Sequence, residues 1–127
     1  MISGIHHAAI IASDIGRSRH FYVEVLGFRI IAENYRSNRD SWKIDLDTGS
    51  GQIELFTFPG APPRPSYPEA QGLRHLAFTV SDLDKAVERL QSFGVGVEPV
   101  RVDEYTGTRF TFFQDPDDLP LELYESL

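Results

Sequence analysis

"IELF" at residues 53–56 returns as "LELY" at residues 121–124, a shift of 68 positions. The same shift carries His7 onto His75, Ala9 onto Ala77, and "SDI" at 13–15 onto "SDL" at 81–83. One offset thus aligns an early strand-like run, a helix start and a late strand-like run in two halves of the chain. Such self-similarity decides architecture before any single element is read. The 127 residues suffice for one compact domain or two small modules sharing a core.

The runs between these anchors complete the plan. "IHHAAIIA" (5–12) is apolar and β-branched, a strand. "SDIGRSRHFYVEVLGF" (13–28) opens on good N-cap residues and closes on Gly27. Between them Ile15, Phe21, Tyr22, Val25 and Leu26 give a helical apolar stripe. Strands are expected near 28–36 and 41–48, a turn at 47–52, and a fourth strand at 53–58. "PGAPPRPSYPEAQG" (59–72) holds five of the eight prolines and reads as a linker. The second half repeats the order, with a strand at 73–80, a helix at 81–94, strands at 95–102 and 108–114, and a turn at 115–118. "LPLELYESL" forms the last strand. The expected fold is α+β, built from two β-α-β-β-β modules. Module 1 covers about 1–58, the linker 59–72 and module 2 about 73–127, within one domain spanning 1–127.

Glu54 poses a chemical question. It lies inside an apolar strand, where a dry, unpaired carboxylate costs several kcal/mol, roughly, and so must find a partner. Strand alternation sorts the neighbours by face. His7, Ala9 and Ile11 share one face of the first strand; Glu54, Phe56 and Phe58 share one face of the fourth, with Ile53 and Leu55 turned to the helix. In the second half His75 lies with Ala77 and Thr79, and Glu122 with Tyr124. Each module therefore carries one His on its first strand and one Glu on its last. A lone strand histidine is more often hydrogen-bonded than ligating, and a lone glutamate usually faces solvent. Four such residues repeated in register instead read as a metal site in pieces: two imidazoles and two carboxylates suit a divalent Zn, Ni, Co, Fe or Mn. His6 and His20 fall outside the repeat and read as structural or surface residues.

Bulk properties exclude several classes. A net charge of −7 disfavours non-specific binding to nucleic acid or to anionic membrane. There is no cysteine, hence no disulfide, thiolate nucleophile or Cys-ligated zinc. No apolar run approaches the 18 or so residues of a membrane span. "MISGIHHAAI" lacks the basic flank of a signal peptide, which points to a cytoplasmic location.

"HHAAIIASDIGRSRHFYVEVLGF", "IELFTF", "GLRHLAFTVSDLDKAVERL" and "FQDPDDLPLELYE" together resemble the vicinal-oxygen-chelate superfamily, and within it the glyoxalase I-like (lactoylglutathione lyase-like) group. "DSWKIDL", "PRPSYPEAQGLRHLAF" and "RFTFFQDPDDLPLELYE" are similar to its YaeR-like branch. The resemblance implies paired β-α-β-β-β modules curling around a divalent metal held by His7, Glu54, His75 and Glu122, with Zn or Ni foremost. It implies a lyase or isomerase in which the metal stabilises an enediolate of a vicinal-oxygen substrate while a glutamate moves a proton between adjacent carbons. Glu122 is the first choice for that base and Glu54 the second. It also implies a homodimer, with each site completed within one chain or across two.

Where glyoxalase I holds glutathione with an arginine four residues after the ligand His and an asparagine four residues after the ligand Glu, this chain has Ile11 and Phe58. Neither can hold a peptide carboxylate, so glutathione is not expected as the handle. The remaining pocket face, Ile11, Phe56, Phe58, Thr79 and Tyr124, suits a compact, partly apolar small molecule. Arg36, Arg39 and Arg109, with Trp42, Lys43 and Tyr105 nearby in sequence, are candidates for an anionic-group clamp. The alternatives are a small-molecule-binding or resistance protein on the same fold, an extradiol-type dioxygenase with iron, and a purely structural metal.

Overall fold

The computed structural model describes residues 1–126, and Leu127 lies outside the described residues. Two compact units emerge, Met1–Pro63 and Arg64–Leu127, their boundary falling inside the proline-rich segment.

The first unit runs β1 (His7–Ile11), α1 (Ile15–Arg19), a π-helical segment (His20–Val25), β2 (Arg29–Arg36), β3 (Ser41–Asp47) and β4 (Gln52–Phe56). Asp14 caps α1, its Oδ1 accepting from the Arg17 amide at 2.9 Å. The helix then widens: the Leu26 amide donates to the Phe21 carbonyl five residues back at 3.0 Å. Gly27, at φ 81°, reverses the chain where a side chain would be strained. The sheet order is β1-β4-β3-β2, with β1 and β4 parallel and the other pairs antiparallel. Tyr22, Ile44, Leu46, Ile53 and Leu55 are buried to within 2% of complete, joined in the core by Phe21 and Val25. Lys43, Asp45, Glu54 and Phe56, which alternate with them, occupy the opposite, partly open face.

The second unit repeats this plan with β5 (Leu76–Val80), α2 (Leu83–Ser92), β6 (Arg101–Val102), β7 (Arg109–Gln114) and β8 (Pro120–Glu125), ordered β5-β8-β7-β6. Asp82 caps α2 as Asp14 caps α1, accepting from the Lys85 amide at 3.1 Å. Leu83, Leu90, Phe113, Leu121 and Leu123 form the core together with Thr111. The strand expected over 95–102 is reduced to Arg101–Val102 and an isolated bridge between Val97 and Phe113. Gly96 and Pro99 account for this, since one adds no side chain to pack and the other has no N–H for the ladder.

Register shows where the repeat slips. Ala9 pairs with Glu54 and Ala77 with Glu122, a shared offset of 68. The residues opposite those glutamates on the next strand are Asp45 and Phe112, which are offset by 67. The strand beside the last one in the second module is thus set one residue earlier, with a connection to the last strand one residue longer, while the first and last strands keep their alignment. The later part of the proline-rich segment is tied to the second unit. Arg64 donates to the carbonyls of Leu73 and Arg74, and the Ser66 hydroxyl donates to the Asp118 carbonyl at 2.8 Å.

Candidate functional site

The carboxylate inside β4 has two partners. Glu54 Oε2 lies 3.4 Å from His7 Nδ1, and its Oε1 lies 3.6 Å from Lys43 Nζ. Glu122 Oε1 in the second unit lies 3.8 Å from His75 Nε2. Both pairs arise from the same local construction: a parallel strand pair sets the glutamate beside an alanine that follows the histidine by two residues. The Glu54 and Glu122 side chains are only 13% and 14% exposed, so each needs the company it keeps.

The pairs differ in surroundings. Lys43 reaches Asp45 Oδ1 at 2.6 Å, and this hydrogen bond, outweighing partial desolvation, holds the ammonium above its ordinary pKa, with Glu54 contributing. Lys43 is therefore a fixed cation rather than a proton carrier at neutral pH. In the second unit the corresponding cross-strand positions hold Phe110 and Phe112. Phe112 meets the His75 ring edge-on at 5.0 Å, and Arg74, itself paired with Glu69, stands 3.3 Å from His75 Nδ1. His6, read as a structural or surface residue, is exposed, and its Nδ1 is 2.9 Å from His7 Nδ1.

The donor set can be tested against a metal. Ligand atoms about 2.0–2.2 Å from one shared ion stand roughly 3.0–3.5 Å apart, depending on the angle between them. The His7–Glu54 separation falls in that range, and the His75–Glu122 separation needs a few tenths of an ångström of closure. Neutral imidazole and carboxylate suit a borderline divalent ion. Each module supplies two donors, and among the described residues no group of three or more His, Cys, Asp or Glu gathers as a metal would require.

The other anticipated residues divide. Phe56 and Phe58 stack at 5.8 Å, with Arg36 over both rings. Ile11 is paired with Phe56 across β1 and β4 and is exposed. Thr79 pairs with Tyr124; the Tyr124 hydroxyl donates to Asp103 Oδ2 at 3.1 Å and contacts the Thr106 hydroxyl. Arg39 lies exposed in the β2–β3 turn, and Tyr105 is likewise exposed. Trp42 packs against Tyr35 at 5.2 Å.

Arg109 is not on the face with Glu122. Its strand parity matches buried Thr111 and Phe113, and its guanidinium joins Glu125 at 2.9 Å and Asp84 at 3.2 Å, tying α2 to the sheet. Those hydrogen bonds raise its pKa and lower that of Glu125, which also accepts from the Leu83 amide. The Lys43–Asp45 pair went unread in the sequence, although "WKIDLD" places both on the parity opposite Ile44 and Leu46.

Among the described residues no helix is long and apolar enough to cross a membrane. Residues 4–123 match the Glyoxalase/Bleomycin resistance protein/Dioxygenase superfamily. The chain is 59% identical to the uncharacterized protein YwkD of Bacillus subtilis, covering 98% of each. It is 60% identical to the uncharacterized protein YaeR of Escherichia coli, covering 95% of each. It superposes on a glyoxalase family protein from Enterococcus faecalis with a TM-score of 0.89 at 50% identity, covering 96% of this chain and 97% of that one. A lactoylglutathione lyase from Agrobacterium tumefaciens shares the fold at 21% identity and a TM-score of 0.74, covering 98% and 95%. With the duplicated modules and their register, these matches place the chain in the Glyoxalase/Bleomycin resistance protein/Dioxygenase superfamily.

Proposed function

We propose that the chain is a metal-dependent lyase or isomerase of the glyoxalase I-like type, acting on a small molecule with two neighbouring oxygens. The observation that carries this reading is the duplication of one imidazole–carboxylate pair, at 3.4 and 3.8 Å, at equivalent register positions of both modules.

His7, Glu54, His75 and Glu122 are the ligands of this reading, brought together within one chain or between two chains of a homodimer. A divalent cation bound there, Zn or Ni first and Co, Fe or Mn compatible with the same donors, would stabilise negative charge on the substrate oxygens as the adjacent carbon loses a proton. Lys43 holds Glu54 in place from the side away from His7. Glu122 has no lysine of that kind and is the carboxylate assigned to take the proton from one carbon and return it to the next. In this reading Phe56, on the face of Glu54, and Tyr124, on the face of Glu122, supply apolar surface beside the two carboxylates.

Metal analysis of protein purified without chelators, followed by a turnover screen over hemithioacetals, 2-oxoaldehydes and catechols, tests the reading. Glu122→Gln is expected to keep the fold, weaken metal retention and abolish turnover. Full activity in that variant removes Glu122 from the chemistry. A protein that retains no metal and turns over nothing overturns the proposal, and tight ligand binding without turnover by metal-loaded protein would indicate a binding or resistance role.

A further inference from the structure

We infer that Arg36 anchors an anionic group, a carboxylate or a phosphoryl, on the molecule bound at the Glu54 face of the first module. This rests on reading that face as the substrate site. The Arg36 guanidinium carbon lies 5.1 Å from the Phe56 ring centre and 5.6 Å from that of Phe58, an arrangement in which the rings favour a cation. Its Nη2 donates to the hydroxyl of fully buried Ser41 at 2.7 Å, which fixes its orientation. Its Nε is buried with no hydrogen-bond partner, and among the described residues no carboxylate pairs with it.

That last point matters in this chain. With a net charge of −7, acidic partners are abundant, and Arg19, Arg29, Arg74, Arg101 and Arg109 each have one. Arg64 donates instead to the Leu73 and Arg74 carbonyls, and Arg39 lies in an exposed turn, so Arg36 is the arginine with a buried Nε that is set over aromatic rings without a carboxylate. Lys43 is equally committed, to Asp45 and Glu54. The second module supplies an internal control. Arg101 lies over Phe110 and Phe112 of β7 at 5.2 and 5.5 Å, a comparable cation–ring arrangement built on a different strand, and there Glu98 neutralises it at 3.0 Å. The module that keeps its arginine unneutralised is therefore the one that can receive an anion.

Distance narrows the ligand further. Phe56 follows Glu54 by two residues, about 6.6–6.8 Å along a strand, and Arg36 reaches over Phe56 and Phe58. The anionic group then sits several bonds from the oxygen pair rather than next to it. An arginine fork suits carboxylate and phosphoryl geometry alike.

The test compares matched ligands. Binding is read by isothermal titration calorimetry. The pairs are 2-hydroxyglutarate against 2-hydroxypentanoate, and 3-phosphoglycerate against glycerate, with metal content measured in the same samples. One member of the first or second pair is expected to bind about tenfold tighter than its uncharged-tail twin, the scale of one charged hydrogen-bonded contact; which pair responds separates carboxylate from phosphoryl. Arg36→Gln is expected to erase that preference, and Arg101→Gln to leave it intact. Arg36→Met, which keeps the aliphatic stem over the rings, serves if the glutamine variant does not fold. Equal binding of both twins in the wild type, or a preference that survives loss of Arg36, overturns the inference. Metal bound without any anion preference defeats this inference alone; an Arg36-dependent preference in protein that holds no metal supports it and defeats the reading of function.

Discussion

Replacing Leu55 by alanine should separate the two faces of β4. Leu55 is fully buried, whereas its neighbours Glu54 and Phe56 lie on the open face. Truncating a buried leucine removes its transfer free energy and leaves a cavity, a combined cost of about 2.7–5.0 kcal/mol. With Ile44, Leu46 and Ile53 packed around it and all within 2% of complete burial, little collapse is available, so a loss of about 3–4 kcal/mol is expected. Against a total of about 5–15 kcal/mol for a typical domain, that is a large fraction. At a urea dependence of about 1.5 kcal/mol/M, the unfolding midpoint should fall by roughly 2 M with an unchanged slope. Phe56→Ala, one residue along, should cost about 1 kcal/mol, because its ring is only partly buried and what it loses is chiefly contact with Phe58 and Arg36. The assay is urea unfolding of both variants followed by far-UV circular dichroism. If Phe56→Ala proves as damaging as Leu55→Ala, the assignment of faces is wrong, and the placement of Glu54 with it.

Acid should weaken the protein partly through Glu125. Its pKa is lowered chiefly by Arg109, so the folded state binds its proton later than the unfolded chain. That stabilisation is complete above the ordinary glutamate pKa and is lost as the pH falls through the depressed folded value. Glu125→Gln should therefore lower stability at neutral pH and flatten the acid limb of the stability profile below about pH 4.5; parallel acid limbs in wild type and variant would contradict this. Turnover of the glutathione–methylglyoxal hemithioacetal should be poor, because Ile11 and Phe58 stand where the glutathione contacts are expected; a robust rate would show that other residues hold the tripeptide.

The architecture was legible because duplication supplied its own check. An offset of 68 aligned three elements at once, and a strand carrying Glu54 between Ile53 and Leu55 has only one way to bury its apolar side. The His–Glu pairings followed from the same alternation. What escaped the reading depended on tertiary context. Arg109 begins its strand, and sequence alone does not say on which side of the sheet its long side chain ends; Glu125 and Asp84 decide that. The π-helical turn over His20–Val25 leaves no sequence punctuation, since Phe21, Tyr22 and Val25 are spaced well enough for an ordinary helix. The strand at 95–102 was overextended because its valines outweighed Gly96 and Pro99 in the reading, whereas the ladder needs every N–H it can get. Lys43 was read as a neighbour of an anionic-group clamp rather than as the partner of Asp45 and Glu54, because the sequence does not show which carboxylates its ammonium meets.

In both modules the histidine and glutamate are separated by 47 positions, joined only because the first and last strands lie side by side in parallel. A parallel neighbour cannot be reached by a tight hairpin; everything between must close as a loop first, and loop closure is an entropic cost paid before the contact repays it. Neither imidazole can meet its carboxylate in a half-made module. Each pair is thus a marker of a finished module, present only once the outer strands have docked, and no local turn can imitate it.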